Sequence, residues 1–176
     1  KGMNSEFANQ NAYDSIQVHG GSGFMMEYKC QQLYRDARIT SIYEGTTQLQ
    51  TVAAIRYVTN GTYMSVIRDY EAIPVAEEYE GYMNRIKEMA SKLEAATNAV
   101  KDANDQELLD FCARKLYEMT AYTIMCHLLL QDTQKAPEMF AASLNVFVNH
   151  AESEVEKHFN YIRKMDAAQL ANYRKA

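Results

Sequence analysis

The segment LDFCARKLYEMTAYTIMCHLLL, residues 109–130, decides the fold. Leu109, Cys112, Leu116, Met119, Thr123, Cys126 and Leu130 recur along it at mixed steps of three and four. That spacing keeps one face of an α-helix apolar, whereas a strand would scatter the same residues over both faces. Upstream, Tyr79, Met83, Ile86, Ala90, Leu93, Thr97 and Val100 repeat the pattern. Downstream, Phe140, Leu144, Phe147, Ala151, Val155, His158 and Ile162 repeat it again. Pro74 and Pro137 are placed to open the outer two helices. Asn104 with Glu107 resembles a capping box for the middle one. Asp166 can cap a last short helix through Leu170 and Tyr173. Three long helices with short polar connections predict an antiparallel bundle.

Outside the bundle the pattern is still helical. The chain has two prolines and seven glycines, four of them at Gly20, Gly21, Gly23 and Gly45, and no alternating β-branched stretch. An all-α fold is therefore predicted throughout. Asn4 or Ser5 can cap a first helix with the stripe Ala8, Ala12, Ile16 and His19, and Gly20-Gly21 stops it. A second helix over residues 27–38 should bury Cys30, Leu33 and Ala37, with Tyr34 at the border. Residues 40–45 form an irregular connection. Thr46 or Thr47 then caps a third helix, with Leu49, Val52, Ala53 and Arg56 on one side, ending at Asn60-Gly61. One or two turns around Met64 and Ile67 follow. The expected division is residues 1–60 and residues 61–176.

The 176 residues carry a net charge of -5 and are 47% hydrophobic, so a packed chain is expected. No basic surplus exists to neutralise nucleic acid or an anionic membrane surface. No apolar run approaches the roughly 20 residues of a membrane span. Cys30, Cys112 and Cys126 are odd in number and lack CxxC spacing, which predicts reduced thiols and a cytoplasmic protein. Lys1-Gly2-Met3 runs straight into a helix, so the sequence is expected to begin inside a longer protein.

Two places could carry chemistry. Glu44 lies between Tyr43 and Gly45 and follows Ile39 and Ile42, which predicts a carboxylate in an apolar pocket. Such a group suits a general base near neutral pH. Gly45 would let a ligand approach the backbone, and amides at Thr46 and Thr47 could receive an anion or carbonyl oxygen. The plainer alternative is a glutamate in a helix-entry turn held by an arginine. Next, His19-Gly20-Gly21-Ser22-Gly23 is not GxGxxG and follows no strand. It is a helix stop or a backbone nest for a phosphate or cofactor. His150, Glu154 and His158 fall on one helical face at metal-ligand spacing. No second helix offers a matching Glu-x-x-His pair, so a packed or solvated face is preferred.

Taken together, these residues carry a resemblance. The chain has Gln17, Gly20, Gly21, Gly23 and Phe24, then Tyr34-Arg35-Asp36-Ala37-Arg38-Ile39, then Ile42-Tyr43-Glu44-Gly45-Thr46 and Gln48. This order and spacing resembles the C-terminal catalytic segment of acyl-CoA dehydrogenases, over about the first 60 residues. The resemblance implies an FAD enzyme that oxidises an acyl-CoA thioester to the 2-enoyl-CoA. Glu44 matches the base that removes the α-proton, and Gly45 matches the residue against the acyl-CoA. Thr46, Thr47 and Gln48 match positions at the flavin nucleotide. Gln17, Val18, His19, Gly20 and Gly21 match the loop that reaches the FAD of a neighbouring subunit. His19 itself is given no catalytic role, and Arg35 and Arg38 are read as structural. A homo-oligomer and an electron-transfer flavoprotein or similar acceptor are implied. The family's β-domain and most of its helical bundle are missing, so the isolated chain is expected neither to bind FAD tightly nor to turn over substrate. Residues 61–176 resemble an extra C-terminal helical domain of some bacterial members. The other reading is a helical interaction or oligomerisation module that keeps the motif as a remnant.

Overall fold

The apolar periodicity does become helix. In the computed structural model, which describes residues 1–165 and 167–173, every regular element is helical. The chain divides into two units, Lys1–Ala53 and Ala54–Ala176.

In the first unit, α1 (Gly2–His19) is already running at Gly2. Ser5 therefore does not cap it; its hydroxyl donates to the Gly2 carbonyl at 2.9 Å. Gly20, at φ 59 and ψ -143, ends the helix in a conformation that suits glycine. A single turn, α2 (Gly21–Phe24), folds back on α1. Gly23 is buried there, and a Cβ on it would lie 2.7 Å from the Ile16 carbonyl oxygen. Next, α3 (Cys30–Ile39) starts three residues later than expected and lies along α1. The Ser15 hydroxyl donates to Cys30 Sγ at 3.6 Å, and the Tyr13 and Tyr34 rings meet edge to face. The expected stripes are shallow. Cys30 is buried and Ala12, Ile16 and Ala37 are half-buried, but Ala8, His19 and Leu33 are exposed. The last element, α4 (Thr47–Thr59), is capped by Thr46, whose Oγ1 accepts from the Leu49 amide at 3.2 Å.

The second unit takes over within α4, which ends at Asn60-Gly61 with Gly61 at φ 86. A full helix, α5 (Thr62–Glu71), stands where one or two turns were expected, with Ile67 fully buried. Pro74 does not open the next helix. Ala76 stays extended, its amide donating to Gln134 Oε1 at 3.0 Å. A 3-10 turn, Glu77–Tyr79, then leads into α6 (Glu80–Asp102). Asn104, at φ 47, is used in the chain reversal, so Asp105 takes the capping role. Its carboxylate accepts from the amides of Glu107 and Leu108, opening α7 (Gln106–Lys135). Pro137 opens α8 (Pro137–Arg163) as expected. A short α9 (Ala167–Tyr173) packs on α7, and the expected cap Asp166 lies outside the described residues.

Cross-helix pairs fix the directions. Tyr82 meets Asn145, Arg85 meets Glu152 and Lys92 meets Glu156, so α6 and α8 run parallel. Tyr122 meets His150 and Glu118 meets His158, so α7 and α8 run antiparallel. Most of the predicted seam is core: Ile86, Ala90, Cys112, Leu116, Met119, Cys126 and Val155 are sealed from solvent, whereas Tyr79, Leu109, Phe140 and Phe147 are only half-buried and Leu108 and Val148 are buried beside them. Each large apolar side chain buried this way contributes about 1.5–3 kcal/mol.

Candidate active site

Residues 40–46 connect α3 to α4 through a network of local bonds. The Tyr43 amide donates to the Ile39 carbonyl at 3.0 Å, and the Thr47 amide to the Ser41 carbonyl at 3.1 Å. Arg38 Nη1 donates to the buried Ser41 hydroxyl at 2.5 Å. Within this frame Glu44 has φ 52 and Gly45 φ 90. A left-handed backbone costs a non-glycine residue about 1–2 kcal/mol, so something must hold Glu44 in it. Three successive carbonyls are tied. Those of Tyr43 and Gly45 each accept from Lys1 Nζ at 2.7 Å, and that of Glu44 accepts from Gln50 Nε2 at 3.3 Å. A Cβ at Gly45 would lie 2.8 Å from Gln50 Nε2, so both the conformation and the space call for glycine. The Thr47 hydroxyl donates to Glu6 Oε1 at 2.5 Å.

The expected apolar pocket around Glu44 is not formed. Glu44 is exposed, and Ile39, Ile42 and Tyr43 are 52%, 45% and 48% exposed. The reason is physical. α3 packs along α1, and no described part of this unit covers the apolar flank of the turn. Thr46 and Gln48 are exposed, but Thr47 is buried, and both its amide and its hydroxyl are used within the chain. Thr47 therefore braces the turn instead of facing outward beside its two neighbours.

A polar cleft of about 530 Å³ brings Thr46, Thr47 and Gln48 together with Glu6, Arg38 and Tyr13. Glu44 and Gly45 are not among the residues that line it. Gln17, Val18, His19, Gly20 and Gly21 are all exposed at the far end of α1. At 1.5 Å per residue, they begin roughly 16 Å along the helix from Glu6. His19 Nδ1 lies 2.8 Å from the Ser15 carbonyl oxygen, a contact within its own helix. Sequence reasoning missed Lys1, Glu6 and Gln50. Only Gln50 lay close enough to the motif to be suspected, one turn into the helix that follows it.

The residues at metal-ligand spacing do not converge on one point. His158 is buried with Nε2 2.9 Å from Glu118 Oε2 and 3.9 Å from Glu154 Oε2, Glu154 also pairs with Lys157, and His150 meets the Tyr122 hydroxyl. Burial opposes charge on Glu118, but His158 and Arg114 outweigh it and hold the carboxyl below its ordinary range. Among the described residues no group of three or more His, Cys, Asp or Glu could hold a metal. All three cysteines are free and buried, and burial pushes Cys126 up to about 12, which suits packing and not nucleophilic work. No helix among the described residues is long and apolar enough to cross a membrane.

Comparison with known proteins identifies the family. The family described as "Acyl-CoA dehydrogenase, C-terminal domain" matches residues 1–58, and "Acyl-CoA dehydrogenase C terminal" matches residues 59–170. An acyl-CoA dehydrogenase of Bacillus subtilis is 41% identical over 58 residues, 33% of this chain and 15% of that protein. Subunit CarC of the caffeyl-CoA reductase-Etf complex of Acetobacterium woodii is 48% identical over 46 residues, 26% of this chain and 12% of that protein. The chain thus matches only a small part of these relatives' length. An acyl-CoA dehydrogenase family protein from Porphyromonas gingivalis superposes with TM-score 0.61 at 36% identity, over 65% of this chain and 98% of that one. An acyl-CoA dehydrogenase from Bacillus anthracis, complexed with FAD, shares the fold with TM-score 0.73 at 19% identity, over 97% of this chain and 33% of that one. With one family model matching residues 1–58 and another residues 59–170, this chain belongs to the acyl-CoA dehydrogenase family, in its all-α C-terminal region.

Proposed function

We propose that this chain is the C-terminal part of an FAD-dependent acyl-CoA dehydrogenase, with Glu44 as the base that removes the α-proton of an acyl-CoA thioester. The observation that carries the reading is Glu44 itself. It is a charged residue kept left-handed at φ 52 in a turn tied on both sides, and it faces outward beside exposed Ile39, Ile42 and Tyr43. Strain of this kind persists where the surroundings over-determine it, and it clusters at functional sites. Once covered by the rest of the enzyme, that apolar flank would exclude water and raise the basicity of the carboxylate. Gly45 leaves the backbone bare for the thioester to approach.

The residues present fit the flavin. At Gly20 and Gly21 an added Cβ would meet nothing within 4 Å, so the loop offers open backbone. Gln17 and Val18 beside it are exposed, as are Thr46 and Gln48 at the start of α4. Gln17 to Gly21 would hold the cofactor of a neighbouring subunit, and Thr46 and Gln48 that of their own. When bound, FAD supplies the acceptor for the β-hydrogen as hydride. The named complex of the Acetobacterium relative supports an electron-transfer flavoprotein as onward acceptor. Residues 1–60 would be the catalytic segment, and residues 61–176 an added bundle that packs over the catalytic domain or between subunits.

The test is flavin bleaching with a panel of acyl-CoA thioesters, using the full-length enzyme and Glu44→Gln. Bleaching should slow by roughly 10²–10⁴-fold in the variant, the usual worth of a general base, with thioester binding largely kept. Wild-type bleaching in Glu44→Gln would overturn the assignment. The isolated chain should purify without stoichiometric flavin.

A further inference from the structure

We infer that Lys1 and Glu6 are positioning residues that set the conformation of the Glu44 turn from the neighbouring helix; this rests on Glu44 being the base. Lys1 Nζ lies 2.7 Å from the carbonyl oxygens of both Tyr43 and Gly45, the residues that flank Glu44. It also sits 5.4 Å from the centre of the Tyr43 ring, within cation–π range. Two carbonyl dipoles aimed at one point repel each other, and an ammonium with three donors is the side chain that relieves this. Without it, the turn around the left-handed Glu44 would keep only the Gln50 bond of the three that tie its carbonyls.

Lys1 is the cap residue just before α1, and Glu6, in the second turn of that helix, takes the Thr47 hydroxyl at 2.5 Å. The start of α1 thus grips the connection on both sides of Glu44, across about forty residues of sequence. Neither residue needs to touch substrate. Their effect is to fix where the carboxylate sits, and a misplacement of about 1 Å can cost on the order of a hundredfold in rate.

Hydrogen exchange on this chain tests the grip without any activity. The amides of Tyr43 and Thr47, which close the turn onto Ile39 and Ser41, should exchange at least about tenfold faster in Lys1→Met, a loss of one charge-assisted bond pair. Amides of α7 should be unchanged, which separates local release from unfolding. Glu6→Gln should loosen Thr47 more than Tyr43. In the full-length flavoenzyme, Lys1→Met should lower kcat roughly ten- to a hundredfold with little change in KM, and Lys1→Arg should restore most of it. Unchanged exchange in Lys1→Met, or faster exchange with unchanged kcat, would overturn the inference. Full turnover in Glu44→Gln would instead overturn the base assignment, leaving the exchange result to decide the grip.

Discussion

In Ala54–Ala176 the side chains of Ile86, Leu116, Met119, Val148 and Val155 have no measurable exposure. In Lys1–Ala53, Val18, Phe24, Met26, Leu33, Leu49 and Val52 are all more than half exposed. Both units are helical, and both are rich in apolar residues. The difference lies in whether the apolar stripes meet each other. In the bundle, α6, α7 and α8 each supply a continuous seam, and the three seams close on one another. In the first unit the best-defined contacts are polar: Lys1 and Gln50 on the Glu44 turn, Glu6 on Thr47, Arg38 on Ser41. The bundle has a deep apolar core, whereas the first unit buries few apolar side chains, Met3 and Cys30 among them, and adds a set of hydrogen bonds around one turn. Under the proposed function, the large exposed apolar side chains beside the ordered polar turn would be covered by the rest of the enzyme.

The sharpest way to break this comparison is to remove apolar atoms from each side. Leu116→Ala empties a fully buried site and should cost about 2–5 kcal/mol in urea denaturation. Phe24→Ala removes more atoms from a side chain that is 75% exposed, and should change stability by less than about 0.5 kcal/mol. Comparable losses would show that the first unit also depends on burial.

A second test uses acid. His127 is 1% exposed, stacked on Tyr70, and its Nε2 lacks a hydrogen-bond partner among the described residues. Burial pushes its pKa down from 6.5 to about 4, with Lys87 adding to the fall and Glu71 opposing it. The unfolded chain therefore binds a proton that the folded bundle refuses. The stabilisation is complete above about pH 6.5 and is lost as pH falls toward 4. At 1.36 kcal/mol per pH unit, the loss reaches up to about 3 kcal/mol. His127→Phe should flatten this part of the profile, measured by denaturation at pH 7 and pH 4.5. An unchanged slope would mean that the ring does not titrate against burial.

The two units also differ in how far the sequence revealed them. The bundle was legible because a seam such as Leu116, Met119, Thr123, Cys126 is self-contained: the residues that bury it repeat at the same spacing nearby. What slipped was local. Asn104 gave its place as cap to Asp105 because the reversal after α6 needed a left-handed residue. Pro74 failed to start α6 because Ala76 is tethered by Gln134, 58 positions away. At the site, the motif located Glu44 and Gly45, but exposure could not be read from Ile39, Ile42 and Tyr43. Apolar neighbours in sequence say that a cover is wanted, not that this chain provides it. Lys1 and Glu6 were invisible for the opposite reason. They carry no motif, and only folding α1 back against the turn gives them a role.

Helix caps offer the smallest and most discriminating comparison. Asp105 in the bundle and Thr46 at the site do the same job, accepting free amides at a helix start. Replacing either by alanine removes about 1 kcal/mol from its own helix. In α7, which packs against α5, α6, α8 and α9, that loss should appear in full as a lower denaturation midpoint. In α4 it should appear as faster exchange of the Leu49 amide with the midpoint of the bundle unmoved, because the first turn of α4 buries only Thr47 and no large apolar side chain. If Thr46→Ala lowers the midpoint as much as Asp105→Ala does, the two units share one cooperative transition. The polar turn would then be held by the same core as the bundle, and Glu44 would owe its position to burial elsewhere and not to the bonds around it.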